Sequence, residues 1–173
     1  EEVDIVSKVL LGGWLAHGKY NKKFEELFAN TLGVENAITM NSCTGALEIA
    51  LKCSGISQEV IIPSMTFVAT ANAVIYCGGK PVFVDVDPNS FTIDPQSIKK
   101  KITKKTKAII PVHYGGQSCD MQEIQSIAKK NKFFILEDCA HALGSTYKNK
   151  KCGNMGHLGC FSFYPTKVIT TGE

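Results

Sequence analysis

The chain has 173 residues, a formal net charge of +3, 44% apolar residues and 20% charged residues. This composition is typical of a globular protein, and the length favours a single domain with one substantial core. The small net charge argues against nucleic-acid binding, and no apolar run reaches the roughly 18 residues that span a membrane. The chain begins at Glu1 without an initiator methionine and stops inside a loop at Gly172-Glu173, which indicates an excerpt of a longer protein.

The chain contains seven cysteines, and no two of them form a Cys-x-x-Cys pair. Cys53 and Cys77 lie among apolar neighbours on predicted helices, where a free cysteine behaves as a small buried apolar residue. A disulfide framework is unusual in a chain of this size, so we expect a reducing, cytoplasmic setting. Because cysteine and histidine do not cluster at ligand spacing in the sequence, we expect no metal site.

Segments typical of strands and helices alternate along the chain, which predicts a mostly parallel sheet covered by helices. The segment through Gly18 predicts an irregular arm, and the spacing of the apolar residues from Phe24 to Leu32 predicts a helix that ends at Gly33. Strands are predicted over residues 37–40, 59–63, 81–86, 107–112, 133–136 and 159–163. Further helices are predicted over residues 47–54, 66–77 and 121–128.

Two local features of these elements give further predictions. Asp120 is placed to cap the last of the helices, with Glu123 as its capping-box partner three residues later. The lysine-rich run over 99–107 has no interleaved aromatic residues, so a solvated helix end and loop is favoured over a docking patch for an anionic partner.

Polar residues follow several predicted strands, and in open α/β sheets ligands bind at the carboxyl ends of the strands. The turn at 42–45 leads into a helix, so Thr44 and its neighbouring N–H groups can bind an anion, although an ordinary N-cap is the commoner meaning of such a turn. Asp138 ends a predicted buried strand and must be hydrated, paired or bound to a ligand. A structural cap and a ligand contact are equally compatible with that position.

Three other residues have more than one interpretation when each is taken alone. His141 fits a polar surface residue or a group that directs a ring nitrogen at a ligand, and Phe67 fits a core aromatic better than a platform for a cofactor. A lone lysine such as Lys167 is nearly always a solvated surface charge, but apolar neighbours after a predicted strand would favour the neutral amine. One amine and one carboxylate placed in this way are the two protein groups that a pyridoxal 5′-phosphate (PLP) enzyme needs.

Five segments together resemble one family, in composition and in order, over nearly the whole chain. They are Asn-Ser-Cys-Thr-Gly-Ala-Leu at 41–47, Pro-Ser-Met-Thr-Phe-Val-Ala-Thr at 63–70, Pro-Val-Phe-Val-Asp-Val at 81–86, Glu-Asp-Cys-Ala-His-Ala-Leu-Gly at 137–144 and Phe-Ser-Phe-Tyr-Pro-Thr-Lys at 161–167. The string resembles the DegT/DnrJ/EryC1/StrS sugar aminotransferases, which are aspartate-aminotransferase-like PLP enzymes of fold type I. The resemblance implies a three-layer α/β/α sandwich with a mostly parallel sheet. Residues 1–173 would be the N-terminal part of its PLP-binding large domain, with an arm over 1–18, while the rest of that domain and a small C-terminal domain would lie outside the chain.

The resemblance implies catalytic roles for three residues. Lys167 would form the Schiff base with PLP and move protons, and Asp138 would pair with the pyridine nitrogen. His141, where many relatives carry glutamine, would lie near the ring and its 3′ oxygen. Relatives that act as dehydratases have histidine in place of the lysine, so Lys167 favours amino transfer.

The resemblance also implies which residues bind the cofactor. Phe67 would stack on one face of the PLP ring. Its phosphate would be held by Thr44, Gly45 and the hydroxyl of Ser162. Asp138, His141 and Lys167 complete this set.

The implied reaction moves an amino group from an amino acid, glutamate in most relatives, to a keto group of a nucleotide-linked sugar, as in polysaccharide biosynthesis. The enzyme would be a cytoplasmic homodimer whose subunits share each active site. An aminotransferase for a cyclitol or another non-nucleotide ketone and a non-catalytic regulatory or binding relative remain as alternatives. A nucleotide-binding dehydrogenase is disfavoured, because no Gly-x-Gly-x-x-Gly follows a predicted strand.

Overall fold

The computed structural model describes residues 1–171, so the Gly172-Glu173 end of the expected loop lies outside the described residues. The chain divides into two compact units, Glu1–Thr39 and Met40–Glu173. The first unit begins with helix α1 (Glu2–Leu11), so the prediction of an irregular arm is wrong for these residues. Val3, Val6 and Leu10 recur at helical spacing, and the Gly-Gly step after Leu11 ends the helix instead of marking an irregular segment.

Helix α2 (Lys19–Leu32) ends as predicted at Gly33, which has a φ of 75° and donates its N–H to the Ala29 carbonyl at 2.8 Å. A residue with a side chain is strained in this left-handed conformation, which is why glycine ends the helix. The strand predicted over residues 37–40 is wrong, because this extended segment forms no ladder with another strand among residues 1–171. Apolar alternation alone does not make a strand without a hydrogen-bonding partner.

The second unit is built on a five-stranded sheet whose neighbouring strands are all parallel. Its strands lie in the order β2-β1-β3-β4-β7. Their bounds are β1 (Glu59–Pro63), β2 (Lys80–Val84), β3 (Thr106–Ile109), β4 (Phe134–Asp138) and β7 (Leu158–Cys160), with a small antiparallel hairpin of β5 (Thr146–Tyr147) and β6 (Lys150–Lys151) between the last two. The five predicted strands of this unit are therefore confirmed, although three of them end two or three residues earlier than predicted.

Helices cover both faces of this sheet. They are α3 (Cys43–Cys53), α4 (Val68–Tyr76), α5 (Pro95–Lys101) and α6 (Met121–Asn131), with a short 3₁₀ turn over Tyr114–Gly116. Val60 and Ile62 of β1 share a buried core with α3 and α4, whereas Ile61 shares the opposite core with α5 and α6. Side chains alternate between the faces of a strand, so two helical layers enclose one sheet. The predicted three-layer α/β/α arrangement is confirmed.

The caps and the lysine-rich run largely follow the predictions. Asp120 caps α6 by accepting the Glu123 N–H at 3.2 Å, while the Glu123 side chain binds Lys99 instead of completing a capping box. Lys99, at the end of α5, and Lys104, in the following loop, are exposed, as expected for a solvated helix end.

The cysteines are distributed differently from the prediction. Cys53 is exposed and Cys77 is only half-buried, so the expectation that both are buried is wrong. Cys53 is the last residue of α3, and Cys77 follows α4 and packs only partly buried against the core that these two helices share with the sheet. All seven cysteines are free thiols, and four others are buried. Among residues 1–171, no helix has the length and apolar character needed to cross a membrane.

Candidate active site

Asp138 is the last residue of β4 and only 4% exposed. It follows Leu136 by two residues, so its side chain faces the α3/α4 layer. Its Oδ2 accepts a hydrogen bond from the Thr70 hydroxyl at 2.8 Å, and its Oδ1 accepts the Ala140 N–H at 3.1 Å. Burial raises the pKa of Asp138 above its ordinary value, and these two hydrogen bonds oppose that rise.

No basic side chain of residues 1–171 forms an ion pair with Asp138. A buried carboxylate is costly unless it is paired, and here its hydrogen-bond donors are both neutral. The position therefore suits a cationic group of a ligand, and an ordinary helix or turn cap would not require this degree of burial.

Lys167 lies in the loop that follows β7. Its N–H donates to the Tyr164 carbonyl at 2.9 Å, and the loop closes where the Thr171 N–H donates to the Phe163 carbonyl at 3.2 Å. Burial raises the pKa of the Cys43 thiol, Asp138 raises it further and the charge of Lys167 opposes both. Cys160, the last residue of β7, pairs in register with Asp138, so the loop that carries Lys167 leaves the sheet at the end that Asp138 occupies.

His141 belongs to the same group. It is half-buried, and its Nδ1 accepts the Gly115 N–H at 3.3 Å while its ring packs edge-on against Tyr114 at 5.7 Å. Burial lowers the pKa of His141 and the charge of Lys167 lowers it further, both of which favour the neutral ring. An accepting Nδ1 places the remaining proton on Nε2, so this ring offers one N–H donor to a ligand.

The N-terminus of α3 has the predicted cap. The Ser42 hydroxyl accepts the Gly45 N–H at 3.1 Å, and a Cβ at Gly45 would lie 2.9 Å from Asn41 Oδ1, so a larger residue here would require the Asn41 side chain to move. The Gly45 N–H is used within this cap. The Thr44 hydroxyl is exposed at the positive end of the helix, where the sequence predicts that it binds an anion. Ser162 lies two residues after β7, and its hydroxyl accepts the Tyr164 N–H at 3.4 Å.

The ring of Phe67 is 71% exposed, so the interpretation of this residue as a core aromatic is wrong. Phe67 occupies the N-cap position of α4, at the carboxyl edge of the sheet, where its ring is free to contact a flat ligand. A separate cavity opens beside α6 and the amino end of β4, and none of the candidate residues lines it.

Sequence reasoning missed a second buried acid, Glu137, whose side chain faces away from that of Asp138. It is fully buried, with hydrogen bonds at 3.0 Å from the His113 ring, 2.8 Å from the Gly153 N–H and 2.7 Å from the Met155 N–H, and a fourth from the Gly156 N–H. Burial disfavours its charge, but these bonds outweigh that cost and lower the pKa of Glu137. We call this arrangement the Glu137 clasp, since it holds the loop that leads into β7.

The Glu137 clasp is also the place where ligand atoms for a metal come together. His113, Glu137 and Cys139 each bring one such atom within 4.8 Å of the others, so the expectation that these residue types do not cluster is wrong in three dimensions. The Cys119 N–H donates to His113 Nδ1 at 3.1 Å, so Nε2 carries the proton that Glu137 accepts. Burial raises the pKa of the Cys139 thiol well above its ordinary value. These hydrogen bonds occupy the ring nitrogens of His113 and the carboxylate of Glu137, which are two of the three groups that a metal would need.

We expect the substitution Glu137→Gln to destabilise the full-length protein by about 3–5 kcal/mol. The side-chain amide would keep one acceptor oxygen and would turn its NH₂ group toward two of the four donors. Unfolding in urea measures the change.

Glu48→Gln is the matched control, because Glu48 forms a partly exposed pair with Lys52 on α3, a type of pair worth only about 0.3–0.5 kcal/mol. The folded-state pKa of Glu137 is lowered, so the stability that its charge contributes is present above the ordinary glutamate pKa and is lost as the pH falls through the folded value. The gap between wild type and Glu137→Gln should therefore narrow in acid. Equal stability of the two proteins at neutral pH would contradict this account of the clasp.

Comparison with known proteins identifies the family. The model of the DegT/DnrJ/EryC1/StrS aminotransferase family matches residues 1–173. The chain belongs to this family. It is 46% identical to the spore coat polysaccharide biosynthesis protein SpsC of Bacillus subtilis, and the match covers 100% of the chain and 45% of SpsC. It is 45% identical to the GDP-perosamine synthase of Caulobacter vibrioides, over 99% of the chain and 47% of that enzyme.

A solved structure supports the same assignment. A Streptococcus pneumoniae protein described as a sugar aminotransferase, in its PLP form, superposes with a TM-score of 0.94 at 33% identity, over 99% of this chain and 48% of that one. The predicted fold class, that of the PLP-dependent aminotransferases, is therefore confirmed. The chain spans about half the length of the relatives that it matches.

Proposed function

We propose that the protein to which this chain belongs is a PLP-dependent aminotransferase that moves an amino group from L-glutamate to the keto group of a nucleotide-linked sugar. The observation that carries this proposal is the buried Asp138 carboxylate with neutral donors only, beside the end of β7 from which the Lys167 loop leaves the sheet. Membership of an aminotransferase family supports the reaction class, and the similarity to a GDP-perosamine synthase supports a nucleotide-linked substrate.

The donor set at this edge fits PLP. A buried anion such as Asp138 suits a protonated pyridine nitrogen, and the exposed ring of Phe67 suits the face of a flat heterocycle. The positive N-terminus of α3, where Thr44 and Gly45 lie, would attract the phosphate, and the Thr44 and Ser162 hydroxyls would bind it. His141 would donate its Nε2–H to the 3′ oxygen.

PLP supplies a ring that withdraws electrons from the bound carbon of the substrate. Asp138 would hold a proton on the pyridine nitrogen, because a carboxylate removed from water strongly favours an adjacent positive charge. Lys167 would hold the cofactor through its amine and would carry a proton at the substrate carbon.

The assembly and location follow as further parts of the proposal. Apolar side chains on the Lys167 loop are exposed, namely Tyr164, Val168 and Ile169, and we propose that a second subunit covers them in a homodimer with shared active sites. Residues 1–173 would form the N-terminal part of the PLP-binding large domain, including the arm over 1–18. The seven free thiols support a reducing compartment such as the cytoplasm, and the similarity to SpsC supports a role in polysaccharide biosynthesis.

The test is an assay of the full-length protein with PLP, glutamate and a panel of nucleotide-linked keto-sugars. We expect 2-oxoglutarate and an amino-sugar nucleotide in equal amounts, measured by mass spectrometry. Cyclitols and simple ketones form a second panel. Turnover confined to that panel would show that the substrate is a non-nucleotide ketone and not a nucleotide-linked sugar. A protein that binds no PLP and turns over neither panel would overturn the proposal in favour of a binding relative.

A further inference from the structure

Thr70 is a fully buried polar residue of helix α4, whose other residues are largely apolar. It is the third residue of α4, is 0% exposed and lies in the segment Val-Ala-Thr-Ala-Asn-Ala-Val-Ile-Tyr. A threonine inside a helix commonly donates its hydroxyl proton to a carbonyl of the preceding turn. Here the proton goes to Asp138 Oδ2 at 2.8 Å, across 68 positions of sequence.

The direction of each hydrogen bond in this group follows from the number of protons. The Thr66 and Thr70 hydroxyls lie 2.8 Å apart, and either one could donate on geometry alone. An ionised carboxylate only accepts, so the single Thr70 hydroxyl proton is given to Asp138. Thr66 must therefore donate to Thr70, and the three groups form the chain Thr66→Thr70→Asp138, which we call the threonine relay.

Thr70 also holds a second element of the site. Its N–H donates to the Phe67 carbonyl at 3.1 Å, while its hydroxyl donates to Asp138. Thr70 thus binds the backbone of Phe67, which is proposed to stack on the PLP ring. It also binds the side chain of Asp138, which is proposed to contact the ring nitrogen. Thr66, at one end of the relay, immediately precedes Phe67. Asp138, at the other end, is itself proposed to contact the ring.

We infer that the threonine relay is a positioning device that fixes the Asp138 carboxylate, and the Phe67 segment with it, for the pyridine ring. This inference rests on the proposed function. Hydrogen bonds to the ionised form of a carboxylate favour that form, and Thr70 opposes the rise in the pKa of Asp138 that burial causes. Each carboxylate oxygen has one described donor, which leaves one acceptor position on each for a ligand.

The experiment measures the affinity of the full-length protein for PLP, by titrating the cofactor-free protein and following its intrinsic fluorescence. Thr70→Val keeps the shape and removes the donor, and we expect PLP to bind about ten-fold more weakly, as for a lost hydrogen bond to a charged group. Thr70→Ser restores the hydroxyl and should bind within about two-fold of wild type. Thr66→Val leaves the Asp138 bond in place, so a smaller loss of about two- to three-fold is expected.

Ser97→Ala is the matched control. The Ser97 hydroxyl is also buried and also donates to an aspartate, Asp94, at 2.7 Å, but it lies on α5 in the opposite helical layer. We expect Ser97→Ala to melt at a lower temperature with unchanged PLP affinity. If Thr70→Val bound PLP as tightly as wild type, or if Thr70→Ser bound as weakly as Thr70→Val, the positioning role would be refuted. Wild-type protein that binds no PLP would instead refute the proposed function, so the two failures are distinguishable.

Discussion

The substitution Lys167→Ala in the full-length protein is expected to abolish amino transfer and to remove the visible absorbance of covalently held cofactor. The amine of Lys167 is the group proposed to bond to the cofactor and also to move the proton on the substrate carbon, so one change removes both functions. We expect turnover to fall by about 10⁴-fold or more, because proton transfer alone contributes up to that factor. Turnover with glutamate and the best nucleotide-linked sugar measures the loss, and a spectrum recorded after dialysis measures attachment.

Lys104→Ala is the control for this substitution. Lys104 is exposed in the loop after α5 and belongs to the lysine-rich run that shows no link to the site. Its variant should keep both colour and turnover. If Lys167→Ala retained full turnover, another amine would have to carry the chemistry, and the assignment of Lys167 would be withdrawn.

The second large effect is expected for Asp138. Asp138→Ala should keep PLP bound through Lys167 and the phosphate-binding residues, but lose turnover by about 10²-fold or more, the loss seen when a single electrostatic group is removed from an active site. Without the buried anion, the ring nitrogen loses its proton and the ring withdraws electrons poorly. Asp138→Asn should show a similar loss, because the amide keeps the shape of the carboxylate but not its charge.

Two measurements separate this effect from simple damage to the fold. Asp85→Asn changes an exposed aspartate that follows β2, and it should leave turnover unchanged. The cofactor content of Asp138→Ala, determined after denaturation, should remain close to one per chain in the presence of excess PLP. Undiminished turnover in both Asp138 variants would show that this carboxylate does not act on the ring.

The strands of the parallel sheet, and the place of Asp138 at the carboxyl end of one of them, could be predicted because their signals are local. A buried parallel strand is a short apolar run, and the run that ends in Asp138 is bounded clearly enough to place that carboxylate at the sheet edge. Gly33 likewise marks a helix end by its own backbone conformation. The roles of Lys167 and Phe67 came from the family resemblance, since a lone lysine or phenylalanine carries no such signal.

Features that depend on partners distant in the sequence were missed or predicted wrongly. Residues 37–40 have strand-like side chains but no ladder partner in the described part of the chain. Glu137 reads as one more polar residue in the sequence, yet it accepts hydrogen bonds from a histidine 24 positions earlier and from a loop up to 19 positions later. In the sequence Thr70 looks like an ordinary helical threonine, although its hydroxyl donates a hydrogen bond to Asp138.

The sequence by itself determined the family, the five strands of the parallel sheet with their order along the chain, and the residue types that the proposed chemistry needs, because those properties depend on patterns within a few neighbouring positions. Only the tertiary structure decided how the two adjacent acids differ. Strand alternation turns Asp138 toward Thr70, where its hydrogen-bond donors are two neutral groups, and turns Glu137 toward four protein donors. Which of two neighbouring carboxylates is available for chemistry is thus set by the groups that packing brings to each face.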